Sequence, residues 1–317
     1  MKFSLDDQQR DFAASIDAAM SAADVPAAVR AWATGNSAPG RAVWRRLADL
    51  GVTALAVPEQ SGGIGAHPVD LVVAVERLGR WCVPGPVVES LAVAPILLTG
   101  DNRAAALADG ELIATVAMPP AVPRAVDADL ADLVLIAEGA GVTDATAGAR
   151  HASVDPARRL FDVTPAGDVR AADVSRAYEF GALATAAQLL GAGQAMLDMS
   201  VEYAKQRSQF GRSIGSYQAI KHKLADVHIA LELTRPLVFG AALALASESP
   251  DIARDVSAAK AAASDAALLS ARSALQTHGA IGYTAEHDLS HPLLRVQALQ
   301  SAWGDPISHR RRVLEAL

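Results

Sequence analysis

Arg207-Ser208-Gln209-Phe210-Gly211-Arg212-Ser213-Ile214-Gly215-Ser216-Tyr217-Gln218 is the stretch on which the reading of this chain turns. It interrupts two long helical patterns. Upstream, residues 182–205 are rich in Ala, Leu, Met and Gln and hold no proline, a strong helix signal. Downstream, residues 218–246 keep apolar side chains at helical spacing, at Ile220, Leu224, Val227, Leu231, Leu233 and Leu237. Pro236 marks a kink in that second helix rather than its end. A plain turn between helices needs only a glycine and a polar residue or two. This one carries arginines, aromatics, two glycines and glutamines, with Arg207 three residues before Phe210-Gly211. A guanidinium neutralises a phosphate through paired hydrogen bonds, and an adjacent aromatic covers a flat ring. The plainer alternative makes Arg207 a cap for the helix end and Phe210 a core residue.

The whole chain sets bounds. Its 317 residues, 51% of them hydrophobic, suffice for a large core divided into two or three domains. Only 4% are aromatic and much of the apolar content is alanine, which favours closely packed helices. A net charge of −7 speaks against a sequence-independent nucleic-acid binder, which carries a basic face. The run Arg310-Arg311-Arg312 reads as the solvated face of a terminal helix. The single cysteine, Cys82, excludes an intrachain disulfide and fits a reducing, cytoplasmic home. Beside Trp81 it reads as a small buried hydrophobe. The first residues lack a secretory apolar core. The most apolar windows are broken by charge or proline before about 18 residues, so no membrane span is expected.

Three segments follow from periodicity and punctuation. Residues 1–112 read as an N-terminal helical domain, with Ser4 capping a helix through Phe12, Ile16 and Met20. Its glycine-rich loop (Gly62, Gly63, Gly65) lacks periodicity, and a further helix is expected over 87–98 after the Pro84-Gly85-Pro86 break. Residues 113–175 change texture: short apolar runs at 112–117 and 133–137 suit buried strands, with weaker strand signals near Phe161 and Val169. Residues 176–317 return to helix, at 182–205, 218–246, 251–278, 289–300 and 306–317, lengths that suit a four-helix bundle with one extra terminal helix. The fold class is therefore mainly α, with a reduced β-domain in the middle.

Few other constellations carry chemistry. Gln276, Gly279, Ala280 and Gly282 close a long helix; small residues there admit a ligand's phosphates to the backbone, and are also simply how helices stop. His222 and His228 share no helix face, and no E-x-x-H occurs, so no metal site is expected. Gly211-Arg212-Ser213-Ile214-Gly215 spells a nucleophile elbow, but an elbow needs a strand before it and here helices flank both sides. Asp305, just ahead of Pro306, has the position of an N-cap.

The run from Arg207 to Asp226 resembles the central motif of the acyl-CoA dehydrogenases. Two further blocks resemble that family in the right order. One is Gln276-Thr277-His278-Gly279-Ala280-Ile281-Gly282-Tyr283 with Glu286, where Ala280 stands for a glycine. The other is Phe3-Ser4-Leu5 with Gln8, then Gly51-Val52-Thr53-Ala54-Leu55-Ala56-Val57-Pro58-Glu59 before the glycine loop. The resemblance implies that Arg207, Gln209, Phe210 and Gln218, together with Gln276, Gly279, Ala280 and Gly282, contact the ADP half of an FAD held mainly by a neighbouring subunit.

The middle departs from the family. Its T-E-x-x-x-G-S-D block, which holds flavin and substrate, is replaced by Met118-Pro119-Pro120-Ala121-Val122-Pro123-Arg124, so this chain is not expected to hold the flavin ring alone. The family's catalytic glutamate falls on Trp303 or Gly304, and its alternative position on Gly181. No catalytic residue is expected here; Asp305 and Glu179 are the nearest carboxylates. The pattern resembles the shortened subunit of the α2β2 acyl-CoA dehydrogenases of actinobacterial steroid and cholesterol degradation. That implies a full-length partner supplying the glutamate, an acyl-CoA substrate, and an electron acceptor such as an electron-transfer flavoprotein. Two alternatives stand beside it: a self-sufficient homo-oligomer with an unusual base, and a non-catalytic scaffold without FAD contact.

Overall fold

The computed structural model describes residues 5–317; Phe3 and Ser4, the expected first cap, lie outside the described residues. Helix α1 (Asp7–Ser21) is capped by Asp6, whose carboxylate accepts from the Gln9 amide at 2.8 Å while the Gln9 side chain accepts from the Asp6 amide at 3.2 Å. It is followed by α2 (Val25–Ala33), α3 (Ala38–Asp49) and α4 (Pro68–Arg80). In place of a regular helix over 87–98 the chain forms a π-helical turn, Glu89–Val93, that runs into α5 (Ala94–Leu97). Helix α6 (Arg103–Ala108) completes this layer.

The middle segment is a small sheet of β1 (Ala114–Ala117), β2 (Ala125–Val126), β3 (Leu133–Glu138), β4 (Gly141–His151), β5 (Leu160–Pro165) and β6 (Arg170–Ala171). Its order is β1-β3-β4-β5-β2, with β6 against β4; β1 and β3 are parallel and the other pairs antiparallel. The longest strand, β4, gives no strand signal in the sequence. Only its first residues are buried, so its polar outer half has no apolar alternation to read.

The last segment holds α7 (Val174–Gln206), a tiny hairpin of β7 (Ser208–Gln209) and β8 (Arg212–Ser213), then α8 (Gln218–Ala246), α9 (Ile252–His278), α10 (Ser290–Ser301) and α11 (Pro306–Glu315). Helix α7 starts eight residues earlier than its pattern suggests, with Asp173 capping Arg176 at 2.9 Å. It is the axis of the molecule, buried on nearly all sides over 177–197. Where it meets α4, a methyl on Gly191 would sit 1.9 Å from the Glu76 carbonyl oxygen, so the two backbones touch because that residue is glycine. Pro236 lies inside α8 without ending it.

One expectation needs correcting. Two helices, Val174–Gln206 and Gln218–Ala246, are long and apolar enough by length and composition to cross a membrane. In the first, 94% of the most apolar window is buried inside the protein itself; in the second, 44%. Helix–helix burial accounts for the apolarity of α7. Helix α8 keeps an outward ridge of Ile229, Leu233 and Leu237.

Candidate active-site and cofactor surfaces

The deciding stretch folds as a hairpin between two helices. Ser208 pairs with Ser213 and Gln209 with Arg212, leaving Phe210 and Gly211 as a two-residue tip, both at positive φ (55° and 81°). This is the turn type that matches hairpin twist, usually built from Asn or Gly. A phenylalanine there is strained, and it is 93% exposed. The core reading of Phe210 is excluded. Arg207 ends α7 through its own amide, which donates to the Tyr203 carbonyl at 2.9 Å, while its side chain is exposed. The hairpin is braced from within: the Arg212 guanidinium lies 4.0 Å from the Tyr217 ring centroid, and the Tyr217 hydroxyl donates to the Gln209 carbonyl at 3.1 Å. Ser213 sits on a strand that leads into a short 3-10 turn, not on an elbow.

The second motif lies at the same end of the bundle. Tyr203, one turn before Arg207, stacks on His278 with centroids 4.4 Å apart, and the Lys223 ammonium near the start of α8 hydrogen-bonds Gln276. Gly279 takes φ 64°, ψ −139°, a conformation open only to glycine, and turns the chain into a 3-10 segment. Gln276, Ala280, Ile281 and Tyr283 are exposed there, while Gly282 is buried. Gln209 and Gln218 are exposed on the first motif. The Tyr203–His278 stack and the Lys223–Gln276 bond thus bring the two motifs, distant in sequence, to one end of the bundle, where Arg207, Phe210 and Tyr283 are exposed.

The other half of the expected machinery is closed. After β1 the chain doubles straight back, with Met118 and Val122 exchanging backbone bonds at 2.7 and 2.8 Å. That spends the amides of Met118 and Val122, and Pro119, Pro120 and Pro123 have none to offer. At the two expected carboxylate positions stands one side chain. Trp303 is fully buried, and a methyl on Gly181 would lie 2.3 Å from its indole, so the ring fills both places. Sequence reasoning placed each position separately and missed that they touch.

The nearby carboxylates have other employment. Asp305 caps α11, accepting from the Ile307 and Ser308 amides at 2.8 and 2.9 Å; those bonds hold its carboxyl below the usual range, which makes it a poorer base. Glu179 is ion-paired with Arg312. Glu89, on the π-helical turn, was not singled out in the sequence; its Oε1 accepts from Trp303 Nε1 at 3.1 Å and faces Arg158 at 3.4 Å. The π-turn is the signal that marks it, and periodicity does not reveal such turns. Burial pushes the Cys82 thiol up to about 12, leaving it inert. Among the described residues no group of three or more His, Cys, Asp or Glu is placed to hold a metal ion.

Comparison with known proteins places the chain in a family. Residues 6–105 match the family described as "Acyl-CoA dehydrogenase, N-terminal domain", and residues 172–317 its "C-terminal domain". The chain is 33% identical over 293 residues to "Acyl-CoA dehydrogenase IpdE2" of Mycolicibacterium smegmatis, covering 91% of this chain and 92% of that one. Among solved structures, a chain of the ChsE4–ChsE5 complex from Mycobacterium tuberculosis superposes with a TM-score of 0.85 at 22% identity, over 99% of this chain and 98% of that one. A chain of the Tcur3481–Tcur3483 steroid ACAD, in a G363A variant, gives 0.85 at 21% over 97% of each. Neither family match reaches into the reduced sheet, whereas the IpdE2 alignment runs nearly end to end; this chain belongs to the acyl-CoA dehydrogenase family, oxidoreductases that act on acyl-CoA.

Proposed function

We propose that this chain is the non-catalytic half of a heteromeric, FAD-dependent acyl-CoA dehydrogenase, binding the ADP end of a flavin whose ring and catalytic glutamate belong to a full-length partner. The observation that carries this is the split between the two surfaces: the Arg207–Phe210 end is open and outward, while both base positions are filled by Trp303. FAD, when bound, supplies the hydride acceptor of the reaction. The residues here fit only its adenosine side. Arg207 would neutralise the pyrophosphate, Phe210 would cover a ring face, and Gln209, Gln218, Gln276 and the Gly279–Gly282 backbone would hold its polar edges.

The partner is expected on the outward ridge of α8, where Leu233 is 71% exposed and Ile229 and Leu237 follow at helical spacing. A heteromer also agrees with the ChsE4–ChsE5 complex among the structural neighbours, and a steroid-derived acyl-CoA with the steroid ACAD. Electrons would leave through an acceptor such as an electron-transfer flavoprotein. The cytoplasm is the expected compartment for such a complex.

The test is flavin content of the co-purified complex. Arg207→Ala and Phe210→Ala should each weaken FAD binding by about tenfold to a hundredfold, from loss of a charge-assisted bidentate contact or a stacked ring worth roughly 1.5–3 kcal/mol. Both residues are exposed, so the fold and thermal transition should stay unchanged. Flavin retention identical to wild type in both variants would favour the scaffold reading instead.

A further inference from the structure

The tip of the small hairpin is unfavourable on two counts. Phe210 holds φ 55°, a left-handed conformation that a bulky side chain avoids, and its ring is 93% exposed. Asparagine or glycine would make the same turn without strain and without baring an aromatic. The strands add little, since only Ser208–Ser213 and Gln209–Arg212 are paired, and so short a hairpin is marginal by itself. Two side chains outside the turn hold it in place.

Tyr217 is the N-cap residue of α8, and its carbonyl accepts from the Ile220 and Lys221 amides at 3.1 and 3.2 Å, so the helix anchors it. Its hydroxyl reaches back to the carbonyl of Gln209, just before the tip, at 3.1 Å. Its ring carries the guanidinium of Arg212, just after the tip, 4.0 Å from the centroid. Both strands are thereby tied to α8 beside the strained position. The base of the loop is fixed separately. There the Ile214 amide donates to the Arg207 carbonyl at 2.8 Å, and a methyl on Gly215 would lie 2.9 Å from the Ala204 carbonyl oxygen. We infer that Arg212 and Tyr217 are positioning residues: they hold Phe210 outward before a ligand arrives, so that a flat ring stacks on it without rearrangement of the loop. The role toward flavin rests on the heteromeric reading; the brace itself does not.

One arm of the test uses the full-length chain alone. Chymotrypsin cuts after Phe210 when the loop opens, and the rate, divided by that on the matching free peptide over residues 205–219, reads the opening. Arg212→Met and Tyr217→Leu should each speed this cleavage about tenfold, and Tyr217→Phe, which keeps the ring and loses the hydroxyl, about threefold. The double variant should match Tyr217→Leu, because either change removes the same contact. Flavin affinity of the co-purified complex should fall in the same order, since a tip in place about a tenth of the time binds about ten times more weakly. Effects on flavin affinity that multiply in the double variant would make Arg212 a direct ligand and overturn the positioning role. Unchanged cleavage in all three single variants overturns it too. So does flavin affinity that Arg207→Ala weakens and the brace variants leave alone. Affinity unmoved in Arg207→Ala as well marks failure of the heteromeric reading, and the role toward flavin falls with it.

Discussion

Asp155→Ala is expected to destabilise the chain by about 3–5 kcal/mol, the loss that follows when one member of a buried ion pair is removed and the other stays behind. Asp155 is 4% exposed and Arg295 2%. Arg295 Nε donates to Asp155 Oδ2 at 2.5 Å, and its Nη1 donates to the Val83 carbonyl at 3.1 Å. The other carboxylate oxygen accepts from the Ala157 amide at 2.9 Å. One guanidinium on α10 thereby ties the sheet segment and the N-terminal helical layer to the bundle. Cutting the carboxylate back to a methyl leaves a cation in the interior with one carbonyl for company. Urea unfolding of the two proteins measures the difference; a loss under 1 kcal/mol would show that water reaches Arg295 and that this ion pair does not hold the three segments together. The double variant Asp155→Leu with Arg295→Met should recover most of the loss, since paired removal takes the charge away as well.

Lys260→Met is the second large effect, about 2–4 kcal/mol at pH 7. The Lys260 side chain is fully buried, and Nζ donates to the carbonyls of Leu299, Gln300 and Gly304 at 3.2, 3.0 and 3.0 Å, with Ser264 Oγ at 3.2 Å. It gathers the orphan carbonyls at the end of α10 and fixes the turn that carries Trp303. Methionine matches its length and leaves those oxygens unpaired. Burial pushes the ammonium down to about 7, with the Asp305 charge pulling it back up. An unfolded lysine keeps its proton to about pH 10.4, so between pH 7 and that value the unfolded chain binds more protons than the folded one. Stability from this group therefore rises with pH across the window, by up to about 1.4 kcal/mol per unit, and is flat below it. Methionine does not titrate. The gap between wild type and variant should widen from pH 7 to pH 10; a constant gap would mean that the four oxygens hold the amine charged throughout. His309, which burial takes down to about 4, is neutral over that range and adds no slope.

The helical parts of this architecture were legible because their residues obey one rule at a time. The 218–246 pattern matches α8 end to end, and Asp305-Pro306 reads as the cap and first turn that it is. The sheet was less readable. Its β4 is half exposed, so alternation was never imposed on it. Glu89 on the π-turn meets Trp303 and Arg158, residues more than sixty positions away, and no local pattern foretells those partners. The same holds for the site. The motif residues could be named from sequence, but that Phe210 points outward from a strained tip, or that Gly181 is small because of Trp303, follows only from packing between distant segments. The apolar windows misled in the opposite direction. Helix α7 reaches membrane-like hydropathy while nearly all of its most apolar window is buried inside the protein, and α8 does so with less than half of it buried.

On the heteromeric reading proposed above, this chain completes a flavin site that it does not build alone. Flavin per chain and native mass, measured on the chain purified by itself and again after co-expression with a full-length acyl-CoA dehydrogenase encoded beside it, test that most directly. The expected result is a colourless protein alone and a yellow 2:2 complex holding one FAD per pair. A yellow homo-oligomer from this chain alone would contradict it.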